Sequence, residues 1–450
     1  MTCKSFLFVR GGLLAVLAAM LFAAPLVAAA SSEVVIYSFP RTARPIVTGC
    51  NPQGTLVADS AGNLYGTTPK CGAFESGIVF ELVRPVPPST EWTETVLYSF
   101  TGGSDGQYPY AGLTFDAAGN LYGTTNEGGT SGLGTVFELT PPTAGGGQWT
   151  ESVLYSFLGG PADGASPKSD GVAFDHSGNL YGVTTAGGIP YTYTGSGGYF
   201  CALNYPTNAC GVVYKLAPPA TPGAPWTETV LHYFNGPQGW YPIGSPIFDA
   251  RGNLYGEAAN GGRHNIGNVY RLTPPAAGES AWGFKTLYLF GTATTDSGNP
   301  GGSLTLHGDG VLYGTTCCNV FQLVPPAVTG GAWIENILHN FAGGNDGIFP
   351  GAVNLVFDKA GNLYGTTQAG GGNGGCNVYG EAFCGTAFEL SPPAAGSSNW
   401  SETILHDFSA TAKDGSAPLA GVISGKNGEF YGVTSKGGAG GEGAVYAIIP

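Results

Sequence analysis

Of the Asp-Gly steps in the chain, four recur at comparable places, at Asp105, Asp163, Asp346 and Asp414. Carboxylates repeated at equivalent places of a ring would gather at its channel mouth, where they could hold Ca²⁺ or a polyhydroxylated ligand. The plainer reading is a turn capped by Asp. Regular repetition favours that reading, because a single site needs one copy to differ. Irregular aromatics are stronger binding candidates. Trp240 and Tyr241 are adjacent, and Trp240 is the only Trp of seven outside a Pro-Pro-to-Trp segment. Tyr108, Tyr110 and Phe349 occupy comparable segments, and Tyr191, Tyr193 and Tyr199 lie in a long insert. Aromatic faces on an acidic rim suit sugar rings, which stack on them and hydrogen-bond nearby. Packing within their own loops is the alternative.

Catalytic chemistry finds little support. Of six histidines, His232, His339 and His406 align with Tyr98 and Tyr155 and fill a strand position, while His176, His264 and His307 are scattered. No nucleophile–base pair and no metal triad emerges. Paired carboxylates of the glycosidase kind have many candidates, and nothing picks out two. Eight cysteines follow residue 30, an even number, which suggests disulfides in an exported chain. Proximity pairs Cys201 with Cys210, Cys376 with Cys384 and Cys50 with Cys71. It leaves Cys317 and Cys318 as a strained vicinal bridge. No Cys-x-x-Cys spacing is present, so a zinc site is not expected. No cofactor is expected either, Ca²⁺ at the Asp ring being the one option left open.

Residues 1–30 have the pattern of a signal peptide: Lys4 and Arg10, an apolar run from Gly11 to Val27, then Ala28-Ala29-Ala30. An uncleaved anchor is the alternative, since the run is nearly long enough to span a bilayer. Without Lys4 and Arg10 the 16 basic residues become 14 against 30 acidic, a net charge of −16. Such a surface repels phosphate backbones and anionic membranes, which excludes nucleic acid as a partner. No second apolar stretch exists, so no membrane insertion is expected after cleavage.

A repeat must position all these residues. The phrase Gly-Asn-Leu-Tyr-Gly-Thr-Thr starts at Gly62, Gly119 and Gly361, with variants at Gly178, Gly252, Gly310 and Gly428. Each of the seven copies has an apolar segment before the phrase (Leu113 type, strand A). The phrase itself is strand B. A Val136-Phe137 segment (strand C) and a longer Val153-Leu154-Tyr155 segment (strand D) follow. All are rich in β-branched and aromatic residues between Gly or Pro clusters. Tight A–B turns begin with Asp, as in Asp116 to Asn120. The Gly of each Tyr-Gly is expected to let neighbouring sheets approach. Thr-Glu steps such as Glu94, Glu151, Glu228, Glu335 and Glu402 open the D strands and protect an outer edge with charge. The last copy ends at a C strand, Ala444 to Ile449, without a D strand. Residues 33–39 match the D pattern. The expected fold is therefore all-β: residues 31–450 form one seven-bladed β-propeller of four-stranded antiparallel blades, the last closed by the N-terminal strand.

The combined phrases Gly-Asn-Leu-Tyr-Gly-Thr-Thr, Gly-Thr-Val-Phe-Glu-Leu-Thr-Pro and Thr-Glu-Thr-Val-Leu-Tyr-Ser-Phe resemble the GloVer tandem-repeat family of exported bacterial proteins, over residues 33–450. That resemblance implies an extracellular or surface location and brings no activity or catalytic residue with it. The D–A and B–C loops share one rim and hold the irregular sequence, so a ligand is expected there. The expected protein is a secreted, periplasmic or extracellular monomer. It would be a non-catalytic binding or scaffold module for glycans or envelope proteins. The alternative is a propeller-type polysaccharide lyase or glycoside hydrolase, which would need a polar cluster peculiar to one or two blades.

Overall fold

The computed structural model describes residues 31–41, 48–143, 147–168, 171–189, 210–221, 223–292, 297–328, 330–350, 354–372, 384–394, 396, 397, 399–409 and 411–450. Residues 1–30, expected to be a signal peptide, and Cys201, Cys376, Tyr191, Tyr193 and Tyr199 lie outside them. All described residues belong to the unit Ser31–Pro450.

That unit is a seven-bladed β-propeller. Each blade is a four-stranded antiparallel sheet in the order A-B-C-D. Blade 1 consists of Val57–Ala58, Leu64–Thr68, Ile78–Val83 and Thr93–Ser99. Blades 2 to 6 repeat this order, and blade 7 takes its D strand from the other end of the chain. Ser32–Ser38 pairs antiparallel with Ala444–Ile449, Glu33 facing Ile448 and Val35 facing Tyr446. The pairing slips one residue between Val35 and Tyr37. The same slip occurs in the other six C–D pairs, for example between Val79 and Phe80. A bulge of this kind fixes register and twist, so the N-terminal strand is a D strand in detail as well as in pattern.

Burial follows the sequence closely. B strands such as Leu64–Thr68 are buried at every residue, as a central strand between packed blades requires. D strands begin exposed and alternate, as expected of an edge. Seven core clusters are found among the described residues, and each straddles two adjacent blades; Phe39, Leu56, Phe80 and Tyr431, for instance, join blades 7 and 1. No blade has a core of its own, so the ring is the folding unit.

The Gly of Tyr-Gly works differently from expectation. A Cβ on Gly66 would lie 2.7 Å from the ring tip of Phe80, its cross-strand partner in the same blade. The glycine makes room for that ring. Close backbone approach between blades occurs instead before strand A, where a Cβ on Gly54 would meet the Ala111 carbonyl at 2.6 Å.

Candidate functional site

One rim is built by the D–A and B–C loops together. Short ribbons join them: Gly49–Cys50 with Lys70–Cys71, Gly164–Ala165 with Ala186–Gly187, and Gly415–Ser416 with Lys436–Gly437. The first is bridged by a Cys50–Cys71 disulfide with Cα atoms 5.6 Å apart. Cys210 and Cys384 are also disulfide-bonded. Cys317 and Cys318 correct the expected vicinal bridge: both are free thiols, with sulfurs 2.9 Å apart. They are the central residues of the turn closed by Thr316 N–H to the Asn319 carbonyl. Neighbouring Cα atoms, about 3.8 Å apart, are closer than disulfide geometry prefers.

Each blade enters this rim through a residue that precedes proline and has positive φ: Asn51, Tyr108, Ser166, Tyr241, Asn299, Phe349 and Ala417, with φ between 51° and 60°. At Asn51, Tyr108, Ser166, Tyr241, Asn299 and Ala417 the N–H donates to a carbonyl just before strand C of the previous blade, as from Tyr108 to Ser76 and from Tyr241 to Cys210. The next proline packs where a glycine leaves space, Pro109 on Gly77 and Pro242 on Gly211. This joint holds the backbone in the left-handed region. The conformation costs a bulky residue about 1–2 kcal/mol. Three of the seven joints nevertheless carry an aromatic ring, on blades 2, 4 and 6. Tyr108 and Phe349 are half-buried and Tyr241 is exposed. The predicted aromatics thus occupy equivalent places around one rim, with Tyr108 and Tyr110 in ring contact and Lys168 over Tyr110. Trp240 stands apart from the loop expectation. It opens strand A of blade 4, Trp240–Phe248, packs on the blade 3–4 core and donates from Nε1 to Asn265. Pairing with the extended B strand Leu254–Asn260 draws it into the sheet.

The four Asp-Gly acids do not meet one another. Each pairs with strand D of its own blade. Asp105 accepts from Tyr98 and from the Thr101 N–H, and Asp163 accepts from Tyr155 and from the Leu158 N–H. Asp346 lies 2.8 Å from His339 Nε2, and Asp414 lies 3.1 Å from His406 Nε2. A glutamate from the D strand of the next blade completes each group. Glu402 is 3.6 Å from His339, and Glu33 is 3.9 Å from His406. Elsewhere the link is direct, Tyr37 donating to Glu94 at 2.7 Å. Blade 4 breaks the pattern: Phe284 replaces the glutamate, and His232 stacks on it at 3.9 Å. Burial holds His232 near 4, neutral at physiological pH. Such groups do not show along a single repeat, because the glutamate comes from another repeat, and for Glu33 from the opposite end of the described chain.

The A–B turns form the other rim. Asp175 there accepts from the N–H groups of Ser177 and Asn179, from the Asn179 side chain and from Tyr181. Burial disfavours its charge, but these bonds together outweigh that and hold its carboxyl below the usual range. In six links a Trp packs on the B-strand Tyr of the preceding blade, as Trp149 on Tyr65 and Trp282 on Tyr181. Blade 7 has Ser31 at that place, and Ser424 where blades 2, 3, 4 and 6 have Phe. A cavity of about 880 Å³ opens there between blades 6 and 7, lined by Phe357, Tyr364, Lys359, Lys426 and Phe430. Where Trp282 is present, between blades 3 and 4, the cavity is about 350 Å³. Sequence reasoning passed over this place, although the absent Trp was its signal. It also passed over Glu257, which replaces the Thr of the repeated phrase, is 1 % exposed and approaches Gly314 of blade 5.

Residues 26–196 match the model of the Gloeobacter/Verrucomicrobia repeat. No curated protein matches the chain. Among solved structures it is similar to PorZ, a bacterial surface component of the type-IX secretion system of Porphyromonas gingivalis, at 15 % identity over 88 % of this chain and 46 % of that one, with a TM-score of 0.49. It is similar also to the extracellular domain of BT4673 from B. thetaiotaomicron, at 11 % identity over 93 % and 41 %, with a TM-score of 0.50. A third is the gluconolactonase XC5397 of Xanthomonas campestris, at 12 % identity over 74 % and 90 %, with a TM-score of 0.36. The chain spans less than half the length of the first two, and at these identities the likeness concerns the fold alone. Among the described residues no helix is long and apolar enough to cross a membrane. The match to the Gloeobacter/Verrucomicrobia repeat runs from the closing strand into blade 3, and the repeat phrase it contains recurs in all seven blades.

Proposed function

We propose that this chain is a secreted, non-catalytic binding propeller that recognises extracellular glycans or envelope partners on its D–A/B–C rim. One observation carries the reading. Tyr108, Tyr241 and Phe349 hold a strained left-handed conformation that Asn, Ser and Ala occupy in the other blades. Rings kept at a conformational cost, spaced alternately around a disulfide-braced rim, suit stacking on sugar faces. The acids around them are committed to turns and inter-blade contacts, which supports a binding rather than a hydrolytic role.

The test uses what the repeat itself offers. Asn stands at this joint in blades 1 and 5, so Tyr108→Asn, Tyr241→Asn and Phe349→Asn combined keep the joint and remove the rings. The variant is expected to melt no lower than the parent and to lose most retention on polysaccharide affinity gels. Undiminished retention would reject the rim.

A further inference from the structure

Three of the seven D strands carry histidine where the others carry tyrosine: His232, His339 and His406 against Tyr37, Tyr98, Tyr155 and Tyr288. The exchange tracks its surroundings. His232 has neither acid, since Asn235 opens its D–A loop and Phe284 stands in the next blade. His339 and His406 have both, and their ligand-capable atoms lie within 4.8 Å of one another in the sets His339, Asp346, Glu402 and His406, Asp414, Glu33. We propose that these two sets are binding sites for a divalent first-row transition metal of the Zn²⁺ class, one tying blade 5 to blade 6 and the other tying blade 6 to the N-terminal strand of blade 7.

The donor chemistry selects the ion. One imidazole nitrogen with two carboxylate oxygens suits Zn²⁺, whereas Ca²⁺ prefers six or more oxygens. Zn–N and Zn–O bonds of about 2.0–2.2 Å in tetrahedral array place ligand atoms roughly 3.3–3.6 Å apart. The histidine-to-acid distances, 2.8 and 3.6 Å in one set and 3.1 and 3.9 Å in the other, bracket that spacing. Three protein ligands leave a fourth position for water.

A second observation points the same way. The Glu33 side chain is 6 % exposed, and its Oε1 has no hydrogen-bond partner among the described residues; Glu402 Oε1 is in the same state. Orphan oxygens also occur at Glu151 and Glu228, beside tyrosines. A neutral phenol is a poor metal ligand, so the imidazole distinguishes the two sets. The Asp346 and Asp414 carboxylates are held from behind by the Ala342 N–H and by the Ser409 hydroxyl, which fixes the oxygens that would face the ion.

Titration of the metal-stripped full chain with ZnCl₂ by calorimetry, near neutral pH, tests this. The parent is expected to take up two equivalents and to melt higher with zinc than without. His339→Tyr and His406→Tyr should each remove one equivalent, and together both, while His232→Tyr leaves two. Tyrosine is the residue that other blades use here, so the metal-free melting temperature should hold. Should either Tyr variant fail to fold, His→Gln at the same positions gives the same reading. No zinc uptake by the parent, uptake of Ca²⁺ instead, or full zinc uptake by the double variant would overturn the proposal.

Discussion

Glu228 lies against blade 2 with its carboxyl largely removed from water. Burial first, and the nearby Asp163 second, push it up to about 8 from an ordinary 4.5. The unfolded chain has given up this proton once the pH passes about 4.5, whereas the folded chain keeps it until about 8. The folded state therefore binds the extra proton, and by linkage stability falls as pH rises through that window. Glu151 follows the same rule, up to about 7, for the same two reasons in the same order, with Asp105 as the neighbour. Glu228→Gln mimics the protonated acid. It is expected to raise the melting temperature by about 1–3 °C at pH 9 and to change it little at pH 4.5. A gain that is equal at both values would show that Glu228 ionises normally in the fold. At this same scale the joint aromatics are informative: removing the rings relieves a left-handed Tyr or Phe, so calorimetry of the triple Asn variant should show stability held or slightly raised even as binding is lost.

Strands were legible in the sequence wherever one residue type repeats in one role. The Leu-Tyr-Gly-Thr-Thr segments became buried B strands, the Asp-initiated turns formed as expected, and the D pattern located its missing member at residues 33–39. Pairings across repeats were less legible. Glu402 serves His339 and Glu33 serves His406, and no spacing within one repeat records that. For the D–A acids repetition favours capped turns over a ring around the channel, and local hydrogen bonds bind each to its own blade. Trp240 looked like an exposed loop residue because sequence does not show how far a strand will extend. The cavity between blades 6 and 7 is the element-scale alternative for a ligand. Ser424→Phe restores a ring that four other blades carry. It should fill part of that space, raise the melting temperature slightly and leave polysaccharide retention unchanged. Retention lost in this variant would move the ligand to the A–B rim.

For the whole molecule, each blade buries its apolar face only against its neighbours, so seven weak units become one cooperative ring once the seventh is complete. Completion depends on a strand that starts the described chain. Ser32–Ser38 supplies the edge of blade 7, Phe39 fills the blade 7–1 core, and Glu33 reaches His406 of blade 6. An unpaired Ala444–Ile449 edge would otherwise offer its backbone to other chains. Closure also fixes the rim on which the aromatic joints sit, so both functional readings rest on it. Amide hydrogen exchange read by mass spectrometry tests closure directly. The peptide spanning residues 32–39 should be protected for as long as that spanning residues 444–449 and should open with it, since the two share one ladder. Exchange of residues 32–39 within seconds, beside a protected 444–449, would contradict the closed ring.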